Sequence, residues 1–165
     1  MPNNAPDRQA APTSVHEAPE QSPGFLLWRT TLLWQRQIRA TLAPHDLTHV
    51  QFVLLASAWW LEEHEGPPTQ TRVAQHAATD PMMTSQVLRR LEAGNLVTRE
   101  ADPTDTRARR ITLTTAGRSR LAKVLADVEA ADREFFAALG THQSMFIAHL
   151  DTLGADAIRT GASPS

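Results

Sequence analysis

Between residues 69 and 117 the hydrophobic pattern changes period twice, and this order of parts constrains the fold more than any other feature. A short apolar-faced helix is expected over residues 69–78. Asp80-Pro81 then supplies an N-cap and a first helical residue. The next helix runs Met82-Met83-Thr84-Ser85-Gln86-Val87-Leu88-Arg89-Arg90-Leu91-Glu92 and stops at Gly94. Within it, Thr84, Val87, Leu88 and Leu91 follow the i, i+3, i+4, i+7 rule and should face a core. Two extended runs come after it, residues 96–99 and 109–113, hinged at Asp102-Pro103-Thr104-Asp105. Helix, turn, helix and β-ribbon in series form a winged helix-turn-helix, which lays one helix in a DNA major groove with a hairpin beside it.

The flanking segments predict helices that need a partner. Residues 1–21 carry Pro2, Pro6, Pro12 and Pro19 and almost no large apolar side chain, which predicts a disordered arm. Residues 161–165 are expected to be equally loose. Ser22-Pro23 opens a helix in which Phe25, Trp28 and Leu32 form one apolar stripe, and Leu27, Trp34, Ile38 and Leu42 another. A helix apolar on two stripes needs two neighbours, as a dimer supplies. Thr48 with Gln51 three residues on fits a capping box for a second helix running to about Glu63. Thr114 or Thr115 is expected to cap a long helix through Leu121, Leu125, Val128, Phe135 and Leu139, with heptad-like spacing suited to an interface. Thr141 is the expected cap of a last helix containing Met145, Phe146, Leu150 and Leu153. The fold class is therefore mainly α with a small β-wing. A winged helix-turn-helix lobe (48–114) is flanked by dimerisation helices (22–47 and 115–160), the whole spanning residues 22–160.

Charge is distributed to match. The chain is 165 residues long with a formal net charge of −2. Residues 84–123 nevertheless hold nine basic and four acidic side chains, +5 against −7 elsewhere. A local basic face on an acidic body suits a protein that meets duplex DNA through one surface. With no cysteine, disulfides, thiolate metal sites and cysteine nucleophiles are excluded. No apolar run approaches a membrane span and no secretion signal is visible, so a cytoplasmic protein without a membrane partner is expected.

The residues expected to read DNA emerge from the two faces of the 82–93 helix. Opposite the apolar stripe lie Met82, Ser85, Gln86, Arg89 and Arg90. Gln pairs bidentately with adenine, Arg with guanine, and Met touches a thymine methyl. Thr69 and Thr71, at the start of the preceding helix, are placed to meet phosphate. In the ribbon, Arg107 and Arg109 are the candidates for the minor groove, with Asp105 expected to pair with Arg107 and stiffen the tip.

The runs Leu47-Thr48, Gln51-Phe52, Thr69-Gln70, Leu91-Glu92, Leu96-Val97, Asp102-Pro103, Asp105, Arg107 and Leu113-Thr114 with Gly117 resemble a MarR-family transcriptional regulator over about residues 25–150. The resemblance implies an obligate homodimer on a pseudo-palindromic operator, repressing nearby genes until a small molecule binds. It also implies that the first and last two helices form the dimer interface. Thr104 and Thr106 stand where the family wing often carries arginine, which leaves the minor-groove role between Arg107 and Arg109. Family ligands bind between the dimer helices and the winged lobe, which implies Trp28, Arg39, His49 and Trp59 as contacts for an effector, with an aromatic acid a fitting class.

Other chemistry finds little support. Seven histidines invite a metal, but His45 and His49 flank a helix start and the long helix after the wing carries none where zinc-sensing relatives place them, so no metal and no cofactor is expected. The chain lacks a phosphate loop, a Gly-x-Ser-x-Gly elbow and a His-Glu-x-x-His helix, and is not read as an enzyme. Glu62, Glu63 and Glu65 read as solvated surface at a helix end. The alternative function is a winged-helix protein–protein interaction module without DNA binding, against which Gln86, Arg89, Arg90, Arg107 and Arg109 speak.

Overall fold

The computed structural model describes residues 14–159. Most of the expected arm (1–13 of residues 1–21) and the tail 161–165 lie outside the described residues. The chain divides into two compact units, one ending at Trp34 and the other starting at Gln35.

In the first unit a 3-10 turn, Pro19–Gln21, precedes α1 (Pro23–Leu42). The Ser22 hydroxyl accepts the Phe25 N–H at 3.3 Å, the cap expected from Ser-Pro. Phe25, Leu27, Trp28, Leu32 and Leu33 are all exposed.

The second unit takes up α1 at Gln35 and continues with α2 (His49–Glu65), α3 (Gln70–His76), α4 (Pro81–Ala93), β1 (Val97–Ala101), β2 (Arg109–Leu113), α5 (Thr115–Phe136) and α6 (Gln143–Arg159). It is mainly helical with one two-stranded antiparallel sheet, as the sequence predicts. The capping box of α2 is complete: Thr48 Oγ1 accepts the Gln51 N–H and Gln51 Oε1 accepts the Thr48 N–H. Leu54, Leu55 and Leu61 of α2, Val73 of α3, Leu88 and Leu91 of α4, Val97 and Ile111 of the strands and Val124 of α5 are wholly buried. Each removes about 1.5–3 kcal/mol worth of apolar side chain from water, which is what holds four helices around the ribbon. Among the described residues no helix is long and apolar enough to cross a membrane.

Three details join the lobe to α5. Thr114 caps α5 by accepting the Gly117 N–H at 2.9 Å, and its own hydroxyl donates to the Asn95 carbonyl at 2.7 Å. A Cβ on Gly117 would stand 1.9 Å from the Leu96 carbonyl oxygen, so only glycine lets α5 come this close to the loop before β1. Glu62 departs from its expected solvated role. Its side chain is 10% exposed, accepts the Leu113 N–H at 3.1 Å and pairs with Arg118 at 2.8 Å, while Glu63 takes the other Arg118 nitrogen at 2.6 Å. Glu65 is also engaged, bidentate with Arg72. Consecutive carboxylates at a helix end looked solvated because the partners of Glu62 and Glu63 lie about fifty residues away in sequence.

Along α5 the buried positions are Gly117, Leu121, Val124, Val128 and Ala131, spaced four, three, four and three. Of the expected stripe only Leu121 and Val128 are buried; Leu125 and Phe135 are half-buried and Leu139 lies beyond α5, while Val124 and Ala131 complete the buried spacing instead. Gly140 (φ 51°, ψ −125°) breaks the chain into a kink, separating the 3-10 turn after α5 from the helical residues that begin at Thr141 and lead into α6. No residue of α6 is buried among those described.

Candidate nucleic-acid interface

The reading surface is built on the turn between α3 and α4. Thr69 caps α3 by accepting the Arg72 N–H at 3.2 Å. Ala78 takes a left-handed conformation (φ 49°), and the chain re-enters at Asp80, whose carboxylate accepts the Met83 N–H at 2.8 Å. Thr84 is fully buried yet satisfied: its hydroxyl lies 2.8 Å from both the Asp80 carbonyl and the Thr79 hydroxyl. These bonds fix the angle between the two helices from inside the turn.

The faces of α4 separate as expected. Thr84, Val87, Leu88 and Leu91 are buried, while Met82, Gln86, Arg89 and Arg90 are exposed and Ser85 half-exposed. Met82 is 72% exposed, which no core packing explains. Arg89 Nη2 donates to Ser85 Oγ at 2.9 Å, one turn back along the helix. Thr71 is exposed near the start of α3, and Thr69 lies half-buried before it.

The ribbon pairs Val97 with Leu113 through Ala101 with Arg109. Its second strand also meets the chain before α3, where the Ile111 N–H donates to the Pro68 carbonyl at 2.9 Å and Thr69 bridges Arg110. The wing is thus continuous with the start of α3. At the tip, Asp102 is 4% exposed and takes the stiffening role expected of Asp105. One Asp102 oxygen accepts the N–H groups of Thr104 and Asp105 at 2.7 and 3.1 Å, together with the Thr104 hydroxyl. The other accepts Arg110 Nε at 2.6 Å. The Thr104 hydroxyl, the Arg110 guanidinium and the backbone N–H groups together hold the Asp102 carboxyl well below the usual carboxylate range. Asp105 does not use its carboxylate on the Arg107 guanidinium. It accepts the Arg107 backbone N–H at 3.0 Å, a local turn bond that leaves the arginine head out in solvent. Arg107 and Arg109 are exposed, whereas Arg110 is committed to Asp102.

Sequence reasoning missed two parts of this surface. Asp102 was legible only through the strand register, which sets it across the ribbon from Ala108 and within diagonal reach of Arg110. Arg99 is the other. Its guanidinium donates to Gln70 at 3.1 Å and to Glu92 at 3.4 Å, tying β1 to α3 and α4, while its buried Nε has no partner among the described residues.

The residues expected around an effector fall in both units. Trp28 belongs to the first unit, where its ring is 6.1 Å from that of Phe25. In the second unit, burial and the nearby Arg39 charge lower the pKa of His49, with Asp132 opposing. Arg39 and His49 therefore share one neighbourhood. Trp59 is half-buried ten residues further along α2, about 15 Å at the helical rise. Trp60 stacks on His64 (4.2 Å) and His76 (5.1 Å), clasping α2 to α3. His45 is 2.7 Å from Asp127 of α5. Among the described residues no group of three or more His, Cys, Asp or Glu side chains could hold a metal ion. A cleft of about 350 Å³ lies between α5 and α6, lined by residues including Phe136, Phe146 and Leu150 and by none of the four expected effector contacts.

Comparison with known proteins matches this architecture. The MarR family model matches residues 47–108, from the start of α2 into the wing. An uncharacterized HTH-type transcriptional regulator of Bacillus subtilis is 42% identical over 125 residues, covering 76% of this chain and 85% of that protein. An HTH-type transcriptional repressor of Mycobacterium tuberculosis is 34% identical over 134 residues, covering 81% of this chain and 94% of its own, and has been solved in complex with p-aminosalicylic acid and with DNA. CouR of Rhodococcus jostii, solved with p-coumaroyl-CoA, superposes with a TM-score of 0.74 at 28% identity, covering 86% of this chain and 96% of CouR. CouR has also been solved on a 23-mer DNA duplex, with a TM-score of 0.73 at 25% identity. With a groove-sized helix, a stapled wing and these relatives along most of its length, the chain belongs to the MarR family and is a non-enzymatic, DNA-binding transcriptional regulator.

Proposed function

We propose that this regulator is a cytoplasmic repressor that works as a homodimer on a pseudo-palindromic operator and is released by a small aromatic acid or a close derivative. The observation that carries the DNA-reading part is the outward stripe of α4: Met82, Ser85, Gln86 and Arg89 stand opposite a fully buried stripe on a helix fixed at its start by Asp80. In this reading the lobe of residues 48–114 meets DNA. Thr69 and Thr71 touch phosphate, Met82, Ser85, Gln86, Arg89 and Arg90 enter the major groove, and Arg107 and Arg109 reach the minor groove. Residues 22–47 and 115–160 pair two copies, which the bare apolar side chains of α1 and α6 support. Pairing doubles the reading helix and sets two half-sites about one DNA turn apart.

Repression is supported by the names of the mycobacterial relatives, and an aromatic effector by the ligands of the tuberculosis repressor and CouR. The contacts assigned to the effector are Trp28, Arg39, His49 and Trp59, with Arg39 the cation for an acid group. Electrophoretic shift with the DNA upstream of the protein's own gene tests the reading. A shift at low salt, relieved by an aromatic acid, is expected; no shift at low salt would overturn it. Arg109→Ala should weaken binding on all sequences, while Gln86→Ala should relax preference at particular bases.

A further inference from the structure

Four exposed arginines stand on the reading surface, Arg89, Arg90, Arg107 and Arg109. Among the described residues, Arg89 alone of these four has its guanidinium held by a hydrogen bond, from Nη2 to Ser85 Oγ at 2.9 Å. The geometry is set by the helix. Side chains lean toward the N-terminus, so a long side chain at i+4 lies over position i, and Ser85 is four residues before Arg89. A guanidinium has donors only, so the serine oxygen is the acceptor. One of its five N–H groups is spent and four remain, and the bond tethers the head along the stripe that runs Met82, Ser85, Gln86, Arg89. Phosphate contacts tolerate a wandering point charge, but bidentate recognition of guanine O6 and N7 requires a set plane and edge.

We propose that Ser85 is a positioning residue that sets the Arg89 guanidinium for one guanine in each half-site, and that Ser85 shapes sequence choice through Arg89 and not through a base contact of its own. The proposal rests on α4 being the groove helix, and it refines that reading by taking Ser85 out of the set of base-contacting residues. It also moves Arg90, exposed beside Arg89 but without a hydrogen bond holding its head among the described residues, from the major groove to phosphate.

The test uses the full chain and an operator obtained by selection from a random duplex library. Failure to enrich any sequence would overturn the DNA-reading proposal and this one with it, whereas failure of the Ser85 role alone leaves enrichment intact. Each guanine of the selected half-site is replaced singly by 7-deazaguanine, which removes the N7 acceptor. Wild type should lose affinity at one position where Arg89→Ala is indifferent, and that position is Arg89's base. Ser85→Ala should weaken operator binding about threefold to tenfold, the scale of one side chain's lost preorganisation. It should cost nothing further in the Arg89→Ala background or on the 7-deazaguanine duplex. Ser85→Thr, which keeps the hydroxyl, should restore affinity. The salt slope should stay unchanged for Ser85→Ala and fall by about one for Arg90→Ala, a split that general loss of structure would not give. The same loss for Ser85→Ala with and without Arg89 would make Ser85 an independent contact and overturn the proposal. No loss at all, or no guanine assigned to Arg89, would overturn it equally.

Discussion

Helices α4 and α6 are both amphipathic and of similar length, yet they end in opposite states. The apolar stripe of α4 disappears into the lobe, with Leu88 and Leu91 at most 1% exposed. The apolar side chains of α6 do not: Met145, Ile147, Leu150 and Leu153 are 40–64% exposed. A helix that keeps so much apolar surface in water gains little from folding against its own chain. The lobe around α4 is complete within one chain, and its polar stripe is left over for DNA. The α6 surface stays open in the single chain, and in the proposed dimer a second copy covers it.

Breaking the α6 side of this contrast should have the largest effect. The double substitution Ile147→Asp and Leu150→Asp places charges on the exposed stripe without touching a buried residue. Sedimentation should show wild type as a dimer and the variant as a monomer with unchanged helical circular dichroism. Operator affinity should fall about 100-fold or more, because two half-sites no longer share one binder. A variant that stays dimeric would end the contrast between the two helices.

Gly117→Ala attacks the completeness of the lobe. The added methyl meets the Leu96 carbonyl at a separation that atoms do not tolerate, so α5 or the loop before β1 must move. Urea unfolding should show a loss of about 2–3 kcal/mol, the range for overpacking a buried site. A loss under about 0.5 kcal/mol would mean that the lobe yields easily at this junction and is less tightly closed than its buried stripe implies.

Legibility in the sequence differs between the same two regions. The caps at Ser22, Thr48, Asp80 and Thr114, the buried stripe of α4 and the second strand of the ribbon are all readable, because each rests on residues within one or two turns of each other; Thr69, read as the first residue of its helix, proves to be the cap. The first strand starts one residue later than its apolar run suggests: Leu96 instead closes the loop after α4, its N–H donating to the Leu91 carbonyl and its carbonyl accepting from Thr114. The break after α5 is legible at Gly140, whose non-helical backbone separates the two helical pieces there. Long-range pairing is hidden. Nothing in the local pattern distinguishes Glu62, bound to Leu113 and Arg118, from a solvated glutamate, or shows that Trp60 stacks on two histidines. In the candidate site the DNA face is legible by helical period. The effector contacts are not: the spacing of His49 and Trp59 along α2 is readable, but that burial and the Arg39 charge act together on His49 depends on how α1 and α2 pack.

The wing offers a subtler break on the lobe side. Asp102 is the buried anchor of the tip, and its partners keep the carboxyl ionised far below its usual pKa. An unfolded Asp takes up a proton near pH 4, whereas the folded one does not. Below that pH the unfolded chain binds more protons, so the stabilisation from Asp102 is fully present above about pH 5 and is lost as pH falls below about 4. Thermal unfolding from pH 7 to 3 should show Asp102→Asn less stable than wild type at neutral pH, with the difference narrowing in acid. It should also weaken operator binding by loosening Arg107 and Arg109. A constant difference at every pH would assign the effect to shape instead of charge.

The smallest expected effects compare two ends of one ion pair. Glu62 is nearly buried and accepts a backbone N–H of β2, while Arg118 is 40% exposed. Removing Glu62 leaves the Leu113 N–H without its acceptor, which costs about 1–2 kcal/mol for a buried donor. Removing Arg118 gives up a partly exposed cation, worth under about 1 kcal/mol. Glu62→Ala should therefore destabilise more than Arg118→Ala in urea unfolding, and Glu62→Gln, which keeps an acceptor oxygen, should fall near Arg118→Ala. If Glu62→Ala and Arg118→Ala cost the same, the charge pair and not the backbone bond is what closes the lobe onto α5, and the lobe is then less self-contained than the contrast with α6 requires.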